Sequence, residues 1–157
     1  MKTKELQLAV VKMLNPRSRV MIACNVSWGW GLNHEADLLV IDDTSGGYRA
    51  TEIELKVSVS DFRADLKKPQ AHRSNKIHRL FYAMPVEIFE KVREEIPRGC
   101  GVITAKIVDV AGGKNVVATY QRQCRANKNP LLCQKDVLDL GRLQALKYWS
   151  LSAHHRK

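Results

Sequence analysis

An α/β fold, with a central mixed β-sheet flanked by helices, is predicted by three features of this 157-residue sequence. Its first apolar residues recur at helical spacing. Three strand-like segments then come in succession, and from Ser58 onward helical and extended patterns alternate.

The elements can be justified in chain order. Leu6, Ala9, Val10, Met13 and Leu14 fall on one helical face, with Thr3 as the expected cap and Asn15-Pro16 as the stop. Val20 to Val26 is compact, apolar and rich in β-branched residues, which predicts a strand leading into the loop Ser27-Trp28-Gly29-Trp30-Gly31. A second strand through Ala36 to Ile41 is apolar on both faces, as an interior strand should be, and Asp42 to Gly47 makes a turn. The third, Tyr48 to Val57, alternates: Ile53, Leu55 and Val57 point one way, Glu52, Glu54 and Lys56 the other. Three charged side chains thus share one face of a strand whose place in the order is interior.

Ser58 with Asp61 has the form of a capping box, and Val59, Phe62 and Leu66 mark one side of a short helix that Pro69 ends. The polar, basic stretch Ala71 to His78 precedes a fourth strand, Leu80 to Met84. Pro85 then opens a helix with Ile88, Phe89, Val92 and Ile96 on one face and a stop at Pro97-Arg98-Gly99. Gly101 to Ala105, Ile107 to Val110 and Val116 to Tyr120 predict short strands around the turn Ala111 to Lys114. The last helix, about Lys135 to Ser152, has Val137, Leu140, Leu143 and Leu146 as its buried stripe, followed by a frayed tail. No repeat, low-complexity segment or long linker divides the chain. One domain over residues 1–157 is expected, with its core over about 3–120 and its C-terminal helix over about 135–152.

The net charge of +10, from 26 Lys plus Arg against 16 Asp plus Glu, favours a polyanionic partner and makes nucleic acid the leading class. Neither an export signal nor a run of the roughly 20 apolar residues that a membrane span needs is visible, so a cytoplasmic protein without a membrane partner is expected. Cys24, Cys100, Cys124 and Cys133 form no Cys-x-x-Cys pair, and free buried thiols are the expectation.

Hydrolysis of a phosphodiester at neutral pH needs a cation that neutralises phosphate and activates water, with carboxylates to hold it. Asp37 on one strand and Glu54 on the next would bring two carboxylates together. Glu54 and Lys56, two apart on one strand, share a face. An ammonium there would orient water or stabilise developing negative charge.

The segment Ala36-Asp37-Leu38-Leu39-Val40, a turn, and then Glu54-Leu55-Lys56 resembles the PD-(D/E)XK nuclease superfamily. The likeness continues through Val57-Ser58-Val59-Ser60-Asp61-Phe62-Arg63-Ala64-Asp65-Leu66-Lys67-Lys68-Pro69 and Arg79-Leu80-Phe81-Tyr82-Ala83-Met84-Pro85, which is similar to the MmcB-type DNA repair nucleases and related phage or prophage proteins. It covers about Ala36 to Ala105, with Ala36 standing where the superfamily pattern has proline. The resemblance implies a restriction-endonuclease-like core of αβββαβ order, followed here by C-terminal strands and a helix. It implies Asp37 and Glu54 as ligands of Mg2+ or Mn2+, the Leu55 carbonyl as a further ligand, and Lys56 as the catalytic lysine. The implied activity is that of a DNA endonuclease in repair, recombination or phage DNA processing. The alternatives are a non-catalytic DNA-binding module of the same fold, or a nuclease subunit active only in a complex. A homodimer or a larger repair or phage assembly fits either reading.

Further residues carry two readings each. Glu52 is an accessory ligand or half of a cross-strand ion pair. Glu5 reaches the site from the first helix or is simply exposed. Arg63, Lys67, Lys68, His72, Arg73, Lys76 and Arg79 line the path of a phosphate backbone or are solvated charge. Trp28 and Trp30 stack on bases or pack over a sheet edge. Asp61 and Asp65 are explained by capping and by pairing with nearby basic residues. His34, His72 and His78 show no metal-pair spacing and are given no chemistry, although His34 is close to Asp37 in sequence.

Overall fold

The computed structural model describes residues 1–26, 30–68 and 74–154. The chain opens with helix α1 (Thr3–Met13), whose Leu6, Ala9 and Val10 are buried as the spacing predicts. Its cap is Lys2 rather than Thr3: the Lys2 amide donates to Glu5 Oε2 at 2.6 Å, so Glu5 closes the first turn of its own helix. Asn15, with φ at 51°, turns the chain into a short 3-10 turn, Pro16–Ser18, where Asn15-Pro16 predicts only a stop.

A meander follows of β1 (Met21–Val26), β2 (Ala36–Thr44) and β3 (Gly47–Leu55), antiparallel at each step. Helix α2 (Val59–Leu66) then crosses to β4 (Ile77–Pro85), which lies parallel to β3. Helix α3 (Val86–Val92) crosses to β5 (Gly101–Val110), again parallel, and β6 (Gly113–Arg122) returns antiparallel before α4 (Gln134–His154). The six strands form one mixed sheet in the order β1 to β6. The short strands expected after Gly99 are in fact two long ones. β5 runs through Lys106 without a break because its pairing with β6 continues from Ile103 to Val110. Gly101 opens β5 because a Cβ there would sit 2.2 Å from the Phe81 ring.

α1 covers one face of the sheet. Leu6, Ala9, Val10 and Leu14 pack with Leu38, Val40, Ile53, Leu55, Phe81, Ala83, Ile103 and Ala105, all buried. The alternate residues face the other helices in two separate clusters. Ala23, Leu39, Ile41, Ala50 and Ile77 meet Val137 and Leu140 of α4, while Tyr82, Met84 and Val102 meet Phe62 of α2 and Val92 of α3. Glu52 and Glu54 project from β3 between these two apolar clusters, because Ile53 and Leu55 already face α1.

Two helical stripes differ from expectation. In α4, which contacts β1 and β3, Leu143 packs against the buried cluster but Leu146 is exposed. In α2, Leu66 is exposed and Asp65 is buried with Phe62, so an acid rather than a leucine faces the sheet. Of the cysteines, all free, Cys100 is buried, Cys24 and Cys124 are half-buried and Cys133 is exposed, against the expectation of buried thiols throughout. Cys133 sits at the start of α4, where its amide donates to Asp136 Oδ2 at 3.0 Å. Among the described residues no helix is long and apolar enough to cross a membrane.

Candidate active site

The antiparallel register pairs Leu38 with Ile53 and Leu39 with Glu52, so one step further along brings Asp37 beside Glu54. The strands are locked there by the Leu55 amide, which donates to Asp37 Oδ2 at 2.7 Å. Lys56 follows the last residue of β3, shorter than the strand predicted to Val57, and its amide extends the ladder to the Ala83 carbonyl at 2.9 Å. All three charged residues on this face are buried: Glu52, Glu54 and Lys56 are 0, 3 and 4% exposed. The charged face of the strand is therefore not a solvated one.

Lys56 Nζ donates to Glu54 Oε2 at 2.7 Å and lies 3.2 Å from Asp65 Oδ1. Asp65 reaches the lysine because α2 begins only three residues after it, at Val59. Ser58 Oγ accepts the Asp61 amide at 3.1 Å, fixing the first turn, and Asp65 then falls on the sheet-facing side. The Tyr82 hydroxyl donates to Asp65 Oδ2 at 3.3 Å, and its ring meets Phe62 edge-on at 5.2 Å between centroids. Asp65 and Tyr82 therefore hold the lysine from behind. The sequence offered ion pairing for Asp65, but not with Lys56, and it offered no signal for Tyr82.

Electrostatics follow from this crowding. Burial drives the Glu54 carboxyl up to about 7, with Asp37 and Glu52 adding to the rise and Lys56 opposing it. Burial likewise raises Asp37, against the stabilising bond from the Leu55 amide. For Lys56 burial pulls downward, but the Glu54 and Asp65 carboxylates outweigh it and hold the ammonium above its ordinary value. The two partners of the ion pair shift in ways that differ in meaning: Lys56 responds to its partners, Glu54 to an excess of negative charge. Both follow from one charged lysine set among several buried carboxylates. Glu54 Oε1 is buried and has no hydrogen-bond partner among the described residues. A divalent cation suits such a donor set of carboxylate oxygens.

On the same face, His34 Nε2 lies 2.6 Å from Glu52 Oε1, giving Glu52 a hydrogen-bond partner outside the neighbouring strands. His34, Glu52 and Glu54 present donor atoms all within 4.8 Å of one another. Sequence spacing missed His34 because its two partners are 18 and 20 residues away, on a strand it does not belong to.

Other expected residues lie elsewhere. Glu5 is not brought to these carboxylates; it caps α1, on the opposite side of the sheet. Trp30 cannot stack on bases, since it is 1% exposed and its Nε1 donates to the Asp136 carbonyl at 2.8 Å, pinning α4 to the loop before β2. Lys76 sits over the Trp30 ring and pairs with Asp136 at 2.8 Å. Arg63 is held by Glu95 and Lys68 by Asp65, so three of the expected phosphate contacts already face carboxylates. Lys67 is exposed. Trp28, His72 and Arg73 lie outside the described residues. Leu55 enters the site through its amide.

No family profile matches the chain, and no curated protein matches it. Among solved structures it is similar to a protein of unknown function from Silicibacter pomeroyi, at 18% identity and a TM-score of 0.66, over 100% of this chain and 92% of that one. That likeness defines the class at the level of architecture: an α/β protein with a six-stranded mixed sheet flanked by four helices.

Proposed function

We propose that this protein is a divalent-metal-dependent endonuclease that hydrolyses DNA phosphodiester bonds. The observation that carries the reading is the convergence of Asp37, Glu54 and Lys56. Two carboxylates from neighbouring strands and a buried ammonium meet at the end of β3, with Glu54 Oε1 buried and without a hydrogen-bond partner. The meander of β1 to β3, the crossover through α2 and the parallel β4 support a restriction-endonuclease-like core in the PD-(D/E)XK sense.

Asp37 and Glu54 would hold Mg2+ or Mn2+, with the Leu55 carbonyl as a further ligand in keeping with the sequence resemblance. Such an ion, when bound, supplies charge neutralisation at the phosphate and a water of lowered pKa. Lys56 would keep a positive charge beside the carboxylates and stabilise the negative charge that develops on the phosphate. Asp65 and Tyr82 keep the ammonium aimed by occupying its other side. DNA is the favoured substrate on the net charge of +10.

The test is incubation of the purified protein with single-stranded, duplex and branched DNA in Mg2+ or Mn2+, beside Glu54→Gln and Lys56→Ala. Metal-dependent cleavage that both substitutions abolish, with folding retained, is expected. Cleavage at the wild-type rate in both variants removes these residues from the mechanism. Salt-sensitive binding without any cleavage replaces the enzyme with a DNA-binding module.

A further inference from the structure

We propose that His34, Glu52 and Glu54 form a second divalent-cation site, sharing Glu54 with the first, whose imidazole makes it take Mn2+ in preference to Mg2+. The inference deepens the nuclease reading and rests on it only for the role of Glu54 at the neighbouring position.

Four observations converge. The donor atoms of the three residues lie within 4.8 Å of one another. Donors on opposite sides of a first-row ion bound at about 2.0–2.2 Å are separated by at most about 4.4 Å, so closure onto an ion asks for only a small movement. Both carboxylates are buried, unlike the exposed acidic groups that cluster on protein surfaces without binding anything. Glu54 Oε1 is a buried acceptor with no hydrogen-bond partner among the described residues, which is an independent sign that this face is built to meet a cation.

The orientation of His34 is the fourth. Its two ring nitrogens both face oxygen: Nδ1 lies 2.9 Å from Asn33 Oδ1, and Nε2 lies 2.6 Å from Glu52 Oε1. With the Nδ1 hydrogen donated to the Asn33 amide oxygen, the Nε2 lone pair points at a carboxylate oxygen. In that tautomer the approach is favourable only with a cation shared by the two atoms, whereas the other neutral tautomer donates its Nε2 hydrogen to Glu52. A metal ion is such a cation, and the Asn33 bond then fixes the tautomer and ring plane in the way that outer partners of metal-bound histidines do. A single proton is the competing occupant, and the experiment separates the two.

The donor chemistry selects the ion. Magnesium favours oxygen ligands and retained waters, whereas an imidazole with two carboxylates suits first-row ions, Mn2+ among them, that accept both nitrogen and oxygen. The Asp37 position, with oxygen donors only, carries no such preference.

The probe is Mn2+ alone, added to the full chain without DNA and followed by electron spin echo spectroscopy, in which a directly bound imidazole modulates the echo through its nitrogen. Wild-type protein is expected to show nitrogen modulation that disappears in His34→Gln, together with a loss of Mn2+ affinity of about tenfold or more by calorimetric titration. Asp37→Asn should keep the modulation. The other histidines, including the C-terminal pair, are controlled by the His34 variant, since they remain in it. Mn2+ bound without nitrogen modulation, modulation that survives in His34→Gln, or no Mn2+ binding by the folded wild type each overturns the site. Failure of the nuclease reading looks different: modulation intact, with no DNA cut.

Discussion

The two faces of β3 are buried alike and built from opposite chemistry. Ile53 and Leu55 lie under α1 in an unbroken apolar cluster, whereas Glu52 and Glu54, one residue out of phase, lie between two apolar clusters on the other side with Lys56, Asp65 and His34 around them. The first face stabilises the fold in proportion to the area it removes from water. The second contributes less, because each buried carboxylate loses hydration that its hydrogen-bond partners only partly replace. Burial alone therefore does not distinguish core from site. A strand that holds charge where its order in the sheet demands apolar residues has given up stability there, which is the pattern the proposed chemistry would account for.

The largest expected effects set the two faces directly against each other. Leu6→Ala, on the α1 side, should lower unfolding free energy by about 2–5 kcal/mol while the remaining folded protein cuts DNA at its normal rate. Glu54→Gln should do the reverse, lowering cleavage by about 10³-fold or more with the denaturant midpoint unchanged or raised. Urea titrations and initial rates on the same preparations measure both. A Glu54→Gln protein as unstable as Leu6→Ala would show that the charged face is structural after all.

Protonation sharpens the same contrast. Glu54 is held at about 7, above its ordinary 4.5, so between these values the folded chain keeps a proton that the unfolded chain has released. Its contribution to stability is full below the lower value and is lost as pH rises through the higher one. Wild type should therefore lose stability relative to Glu54→Gln between about pH 4.5 and 7, by at most about 3 kcal/mol, and millimolar Mg2+ at pH 8 should restore it. A constant difference between the two proteins across that range would mean that Glu54 is not strained by its surroundings.

Next in size is Asp65→Asn. The substitution keeps the shape of the side chain but removes one of the two charges that hold the lysine ammonium. We expect kcat to fall about tenfold with KM and DNA affinity unchanged, because Asp65 acts through Lys56 and not on substrate. Equal changes in kcat and KM would count against that positioning role.

How much of this was legible in the sequence depends on which interactions are local. Strand and helix periods are local, and they gave the element order and the face shared by Glu52, Glu54 and Lys56. The neighbouring of Asp37 and Glu54 needed only adjacent strands in a meander. Asp65 was harder: an acid three residues after Phe62 occupies the stripe that Leu66 was expected to hold, and it faces inward to the buried Lys56 and Tyr82. His34 and Trp30 depend on contacts with Glu52 and Asp136, 18 and 106 residues away, for which no spacing rule exists. Glu5 was misread for the opposite reason, since its own helix terminus, three residues back, claimed it first.

The smallest effect tests whether α2 is an independent support for the site. Ser58 Oγ accepts the Asp61 amide at 3.1 Å, and this bond starts the helix at Val59, three residues after Lys56, and sets the phase that turns Asp65 inward. Ser58→Ala removes the cap and should cost about 1 kcal/mol, the amount typical of an N-cap, measured by urea unfolding. If phase is what the cap controls, the variant should also lose some kcat, less than Asp65→Asn does, and the double variant Ser58→Ala/Asp65→Asn should lose no more kcat than Asp65→Asn alone. Additive losses in kcat would separate the two residues, and would place the ordering of α2 in the length and packing of Phe62 against Tyr82 instead of in its first turn.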